Sequence, residues 1–123
     1  MENNRSNAID FLQLIVAGEI DKAYEKYVSE DFIHHNPYFA GDRESLKQAM
    51  KQNDNANPNK SLEVKIAISE DDKVMVYSHL KQNDDDLGAA VVHICRFHEG
   101  KIVEMWDVGQ PVLEDSPNEN GMF

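Results

Sequence analysis

Cysteine is nearly absent from this chain of 123 residues: Cys95 stands alone, so no intrachain disulfide can form and no CxxC metal knuckle exists. Basic residues are scarce as well. The 12 Lys and Arg face 23 Asp and Glu, for a formal net charge of -11, and no basic cluster is available to meet a phosphate backbone or an anionic bilayer. Nucleic acid and membrane surfaces are therefore poor partners. Long apolar runs are missing too, since the stretch Ile9 to Val16 carries Asp10 and Gln13, which makes it neither a signal peptide nor a membrane span. The default expectation is a cytoplasmic protein. No repeat or low-complexity segment divides the chain, and 41% hydrophobic content over this length suits one domain, residues 1–123, with 1–6 and 113–123 as terminal segments.

What is present begins with helical periodicity. Ile9, Leu12 and Val16, with Phe11 and Ile15, predict a helix over residues 7–17 capped by Ser6 or Asn7 and ended by Gly18. Ile20, Ala23, Tyr24 and Tyr27 predict a second over 19–28. Phe32 to Pro37 reads as a short extended piece, because a residue before Pro is driven out of the helical region. A third helix follows Asp42, with a thin stripe of Leu46, Ala49 and Met50, and stops before Pro58. The period then changes from 3.6 to 2. Leu62, Val64, Ile66 and Ile68 alternate with polar residues in a half-buried strand, followed by strands over 73–82, 89–98 and 101–109. The last two are joined by a hairpin at Glu99-Gly100. Helices first and antiparallel strands after predict an α+β fold, a cone-shaped barrel in which N-terminal helices pack on a curved, mainly antiparallel sheet.

The last strand carries the densest chemistry. Trp106 and Asp107 place an aromatic ring beside a carboxylate, which, if desolvated, would hold a raised pKa and work as an acid or base near neutral pH. A two-residue turn pairs His98 with Lys101, which puts His93 opposite Trp106 and, with an even register in the preceding loop, adds His79 to that face. Strict alternation then turns Asp107 the other way unless a bulge intervenes. Of the histidine pair, His35 is a candidate donor to a substrate oxygen and His34 is expected to face solvent. Cys95, mid-strand, reads as inert and Asp84-Asp85-Asp86 as a solvated loop. Two histidines with a carboxylate can in principle hold a metal, but no HxH or HxxxH pair occurs, so neither metal nor cofactor is expected. The polar tail from Leu113 is either loose or docked by Met122 and Phe123; two apolar residues at its end favour docking, with a partner subunit as a candidate surface.

Three segments together, Phe32-Ile33-His34-His35-Asn36-Pro37, Gly100-Lys101-Ile102-Val103-Glu104-Met105-Trp106-Asp107 and Asn118-Glu119-Asn120-Gly121-Met122-Phe123, resemble the SnoaL-like polyketide-cyclase-related family, in its predicted aldol-condensation-type subgroup, within the nuclear-transport-factor-2-like superfamily. The resemblance spans nearly the whole chain. His93 stands where that subgroup usually has an acid, and Met105 where it usually has a histidine. The resemblance implies a cone-shaped α+β barrel, often a homodimer, with a pocket between sheet and helices and no obligatory cofactor. It also implies acid/base work by an Asp and histidines on an enolisable carbonyl, in a superfamily that includes isomerases, dehydratases, hydrolases and binders.

The combined expectation is cofactor-independent acid/base chemistry on a small apolar carbonyl compound, an aldol cyclisation or related lyase or isomerase step. Asp107 would be the base, with His35, His79 and His93 as donors or relays. Trp106, Met105, Tyr24 and Met50 would touch the substrate. The alternative is a non-catalytic small-molecule-binding or dimerisation module using the same cavity. An open pocket of about 300 Å³ lined by His and Asp favours the enzyme, and Asp107 paired with a surface Lys or Arg favours the binder.

Overall fold

The computed structural model describes residues 3–123. Helix α1 (Asn4–Val16) starts earlier than its apolar periodicity suggests, because the Asn3 side chain caps it by accepting from the Ser6 amide at 3.0 Å. It buries Ala8, Phe11 and Leu12, spaced three and four apart on one face. Helix α2 (Ile20–Tyr27) buries Ile20, Ala23, Tyr24 and Tyr27. Helix α3 (Arg43–Ala56) is capped by Asp42, which accepts from the Ser45 amide at 3.0 Å, and commits only Leu46 to the fully buried core.

The strands are β1 (Val28–His35), β2 (Ser61–Glu70), β3 (Lys73–Lys81), β4 (Ala89–His98) and β5 (Lys101–Pro111). They form one sheet in the order β1-β5-β4-β3-β2. The helices pack on one face of this curved, open, mostly antiparallel sheet, over a core of Phe11, Tyr24, Val74, Val76, Cys95, Ile102 and Met105. Each large apolar side chain removed from water there contributes roughly 1.5–3 kcal/mol. The extended piece expected at Phe32 is longer than its sequence suggests. It begins directly after α2, and it joins the sheet parallel to β5, with His34 beside Met105 and His35 beside Trp106. Parallel pairing requires a long crossover, here supplied by everything between β1 and β5.

Two bulges set which side chains face the helices. In β2, Val64 pairs with Ser78 and Ile66 with Tyr77, leaving Lys65 unpaired. Ile66 and Ile68, expected on the buried side, therefore lie exposed on the outer face. In the β4–β5 hairpin, Glu99 and Gly100 both take positive φ, as a tight two-residue turn needs, and His98 pairs with Lys101 as expected. Phe97 then pairs with Ile102 but Arg96 with Glu104, so Val103 is the extra residue. Beyond it the parity reverses: Cys95 meets Met105, Ile94 meets Trp106, and His93 meets Asp107.

Gly88 is fixed by geometry at the entry to β4. Its φ is +82°, and a Cβ there would lie 2.4 Å from the Leu80 carbonyl oxygen, which is backbone and cannot move aside cheaply. Gly88→Ala should cost about 2 kcal/mol through left-handed strain and this clash. Urea unfolding of the two proteins checks it. Equal midpoints would show that the loop can rearrange.

Candidate active site

The site forms where β1, β4 and β5 meet under the loop that follows β1. Asp107 points inward because of the Val103 bulge, with an inward-facing His93 as its cross-strand neighbour. His34, on the inner face of β1 and 4% exposed, lies with Nε2 2.7 Å from Asp107 Oδ2. The Asn36 Nδ2 donates to Asp107 Oδ1, while its own Oδ1 accepts from the Tyr38 amide at 2.9 Å. The loop is pinned back onto β1 by the His34 amide donating to the Gly41 carbonyl at 2.9 Å. It carries Phe39 over the His34 ring, 5.5 Å between centroids.

These contacts decide the charge states. Burial pushes the Asp107 carboxyl up, but hydrogen bonds from His34 and Asn36 and the nearby imidazoles outweigh it, so its pKa falls below the usual aspartate value. The raised pKa expected from the sequence is thus replaced by a lowered one, because donors reach both oxygens. An ionised carboxylate only accepts, so His34 Nε2 carries the hydrogen between them. His93 behaves in the opposite way to an ion-pair partner. Burial drives its pKa down to about 4, against the opposing pull of the Asp107 charge and with some help from His34. It is neutral near pH 7, and its Nδ1 is buried without a hydrogen-bond partner. Burial, reinforced by Asp107, also pushes the Cys95 thiol up to about 12, so it stays protonated and inert.

A cavity of about 240 Å³ opens between the helices and the sheet. His93 is its one imidazole wall, and Leu12, Phe39, Leu46, Met50 and Leu80 supply much of the apolar lining. Asp107 stands one strand behind this wall, its side chain 17% exposed. Met50 lines the cavity, whereas Tyr24 and Met105 do not. Tyr24 is fully buried in the core, its hydroxyl on the Met50 sulfur at 3.3 Å, and Met105 packs inward opposite Cys95.

The structure separates His35, His79 and Trp106 from the cavity. All three lie on the outer face because they occupy the odd-facing positions of their strands once the bulge is counted. His35 stacks on Trp106 at 4.8 Å and lies 2.6 Å from Glu104, which also holds Arg96 at 3.0 Å. His79 bonds the Leu87 carbonyl at 2.8 Å and stacks on Phe123 at 4.5 Å. The tail thus docks on its own sheet, with the Tyr77 hydroxyl donating to the Met122 carbonyl. Conversely His34, expected in solvent, is a buried member of the site, and Asn36 joins it through Asp107 without a sequence signal of its own. The signal for His34 lies in the sequence: it is two residues from the core residue Phe32 and so shares its face.

Among the described residues no group of three or more His, Cys, Asp or Glu could hold a metal ion, and no helix is long and apolar enough to cross a membrane. The chain's fold is shared by solved structures of low sequence identity. An NTF2-like protein of unknown function from Cytophaga hutchinsonii superposes with a TM-score of 0.73 at 14% identity, covering 90% of this chain and 93% of its own. A candidate polyketide cyclase from Acidithiobacillus ferrooxidans gives 0.72 at 14%, covering 85% and 86%. AclR, a candidate hydroxylase from Streptomyces galilaeus, gives 0.67 at 22%, covering 86% and 90%. Such different descriptions on one architecture show that the fold alone does not fix the reaction. No curated protein matches the chain. The sequence model of the SnoaL-like polyketide cyclase matches residues 8–112, and this chain belongs to that family.

Proposed function

We propose that the protein performs cofactor-independent acid/base chemistry on a small, largely apolar carbonyl compound, with Asp107 as the base and His93 as the donor to the carbonyl oxygen. The observation that carries this reading is an oriented, ionised carboxylate beside a neutral imidazole that walls an apolar cavity. Asp107 takes a proton from the carbon next to the carbonyl, and the bonding pair moves onto the carbonyl oxygen as an enolate. A neutral imidazole with an N–H directed at that oxygen stabilises the charge as it develops. His34 and Asn36 use one lone pair on each Asp107 oxygen, and a carboxylate has about four such sites, so proton-accepting capacity remains. The enolate carbon is then the nucleophile that an aldol cyclisation requires, or the site of reprotonation in an isomerisation.

Two further points bear on the choice between enzyme and binder. The cavity, about 240 Å³ and lined by His93 but not by Asp107, falls short of the pocket of roughly 300 Å³ lined by both that the enzyme asks for, and it restricts the reading to a small substrate. Asp107 is held by His34 and Asn36, not by the surface Lys or Arg that a merely structural carboxylate would take. Exchange of the methyl protons of 2-acetylnaphthalene into heavy water, followed by proton NMR, tests the reading. Acceleration above buffer is expected, and binding without any acceleration would make the protein a ligand-binding module instead.

A homodimer through the outer face of the sheet belongs to the same reading. Ile68 and Val108 there are 55% and 67% exposed, with Ile66 beside Ile68, and large apolar side chains left in water on one face mark a surface for association. Sedimentation should give twice the chain mass, and Ile68→Lys should shift it toward the monomer. A wild-type monomer at tens of micromolar would exclude this assembly.

A further inference from the structure

Proton removal by Asp107 asks the reacting carbon to come within about 3–3.5 Å of a carboxylate oxygen, the separation of a near-attack pair. Asp107 does not line the cavity. Two of the lining residues adjoin it. His93 is its cross-strand neighbour, held in the ladder of β4. Phe39 lines the cavity as well, and it lies against the ring of His34, whose Nε2 meets the carboxylate. A ligand passing from the cavity to Asp107 has to displace one of these two rings.

Phe39 is the one that is free to move. His93 belongs to the central strand of the sheet, and the wall residues Leu12, Leu46 and Leu62 are buried on α1, α3 and β2. Phe39 sits instead on the short turn between β1 and α3 and is 39% exposed. The turn itself is pinned around it. The Tyr38 amide donates to Asn36 Oδ1 and the His34 amide to the Gly41 carbonyl, both at 2.9 Å. With the backbone so held, the freedom left to the ring is rotation about its own side-chain bonds, which is fast for an exposed residue. An outward swing takes the ring off His34 and adds its space to the cavity. Asn36 is not part of that movement, so Asp107 keeps its donor and its orientation.

We infer that Phe39 gates the base: its ring closes the way from the cavity to His34 and Asp107, and an entering ketone turns it outward. Access to the carboxylate is thereby tied to occupation of the cavity. This rests on Asp107 being the base, but opening of the gate is read at His34 and needs no turnover.

The probe is cyclohexanone, a small apolar ketone with protons beside its carbonyl and no aromatic ring. It is titrated into the full chain in heavy water while the histidine ring C–H signals are followed by proton NMR. The signals lost in His34→Gln and His93→Gln assign the two residues. The Phe39 ring, 5.5 Å from the His34 ring between centroids, shifts the His34 signals by its ring current. Cyclohexanone has no such current, so a change at His34 reports the departure of Phe39. Saturation should move the His93 signals through contact and the His34 signals through loss of the neighbouring ring. In Phe39→Leu, shown to be folded by circular dichroism, the His93 response should remain and the His34 response should be lost. His34 signals that stay still in the wild type, an undiminished His34 response in folded Phe39→Leu, or no response at either histidine would overturn the inference. Exchange of the cyclohexanone protons in the same samples reads the base separately. Exchange with an unchanged His34 would remove the gate and leave the proposed reaction intact, whereas a His34 response without exchange would keep the gate and remove the base.

Discussion

Asp107→Asn is expected to leave the protein folded and to slow proton exchange on 2-acetylnaphthalene by about 10²–10⁴-fold, the usual contribution of a positioned general base. The size of the effect follows from what the carboxylate does that an amide cannot. Asp107 is ionised throughout the neutral range, because the donors on its two oxygens outweigh the burial that raises its pKa. It needs no prior deprotonation, and its basic form should persist to pH values below the ordinary aspartate range. The amide has no comparable basicity at any pH. Folding should survive because the pairing can be rearranged locally. The new amide would present one N–H group toward His34 or Asn36, which both now donate to Asp107. His34 can meet it by changing tautomer, since its Nδ1 is unpartnered and can take the proton that Nε2 gives up. A variant that folds and exchanges as fast as the wild type would remove Asp107 from the role of base.

That assignment could be named from the sequence while its geometry could not, and the difference comes down to one residue. Next to the hairpin β4 and β5 follow strict period-2 pairing: His98 pairs with Lys101 and Phe97 with Ile102. Val103, an ordinary β-branched residue with no Gly or Pro beside it to mark a bulge, then shifts the register by one. A shift of one transposes the faces, so Trp106 turns to the outer face and Asp107 to the inner one, behind the His93 wall. Lys65 does the same to Ile66 and Ile68. Helix faces, by contrast, are legible because three to five apolar positions vote on each one, and a single irregularity does not overturn them. The partners of Asp107 are harder still, since His34 and Asn36 lie more than seventy positions away, on and just after a strand whose parallel pairing leaves no local mark. Docking of the tail is legible from Met122 and Phe123, two apolar residues in a polar segment, but its surface is not: the tail lies on its own sheet, against Tyr77 and His79, and not on a partner subunit.

The second large effect concerns acid stability, and it follows from His93 being half-buried in the cavity wall and neutral. Its pKa falls from 6.5 to about 4 on folding, so between those values the unfolded chain binds a proton that the folded chain refuses. Unfolding is therefore favoured as the pH drops through this window: stability from His93 is complete above about pH 6.5 and is lost progressively down to about pH 4. The shift corresponds to roughly 3 kcal/mol, a large fraction of what a domain of this size has to spend. Asp107 opposes the shift and His34 adds to it, while Cys95 on the same strand stays neutral throughout. In the variant His93→Gln the side chain has no proton to gain. Urea unfolding at a series of pH values should show the wild type losing about 3 kcal/mol more than the variant between pH 7 and pH 4, the common carboxylates cancelling in the comparison. Parallel curves would mean that His93 is solvated or protonated in the folded state. A neutral donor at the cavity wall would then be untenable, whatever Asp107 does.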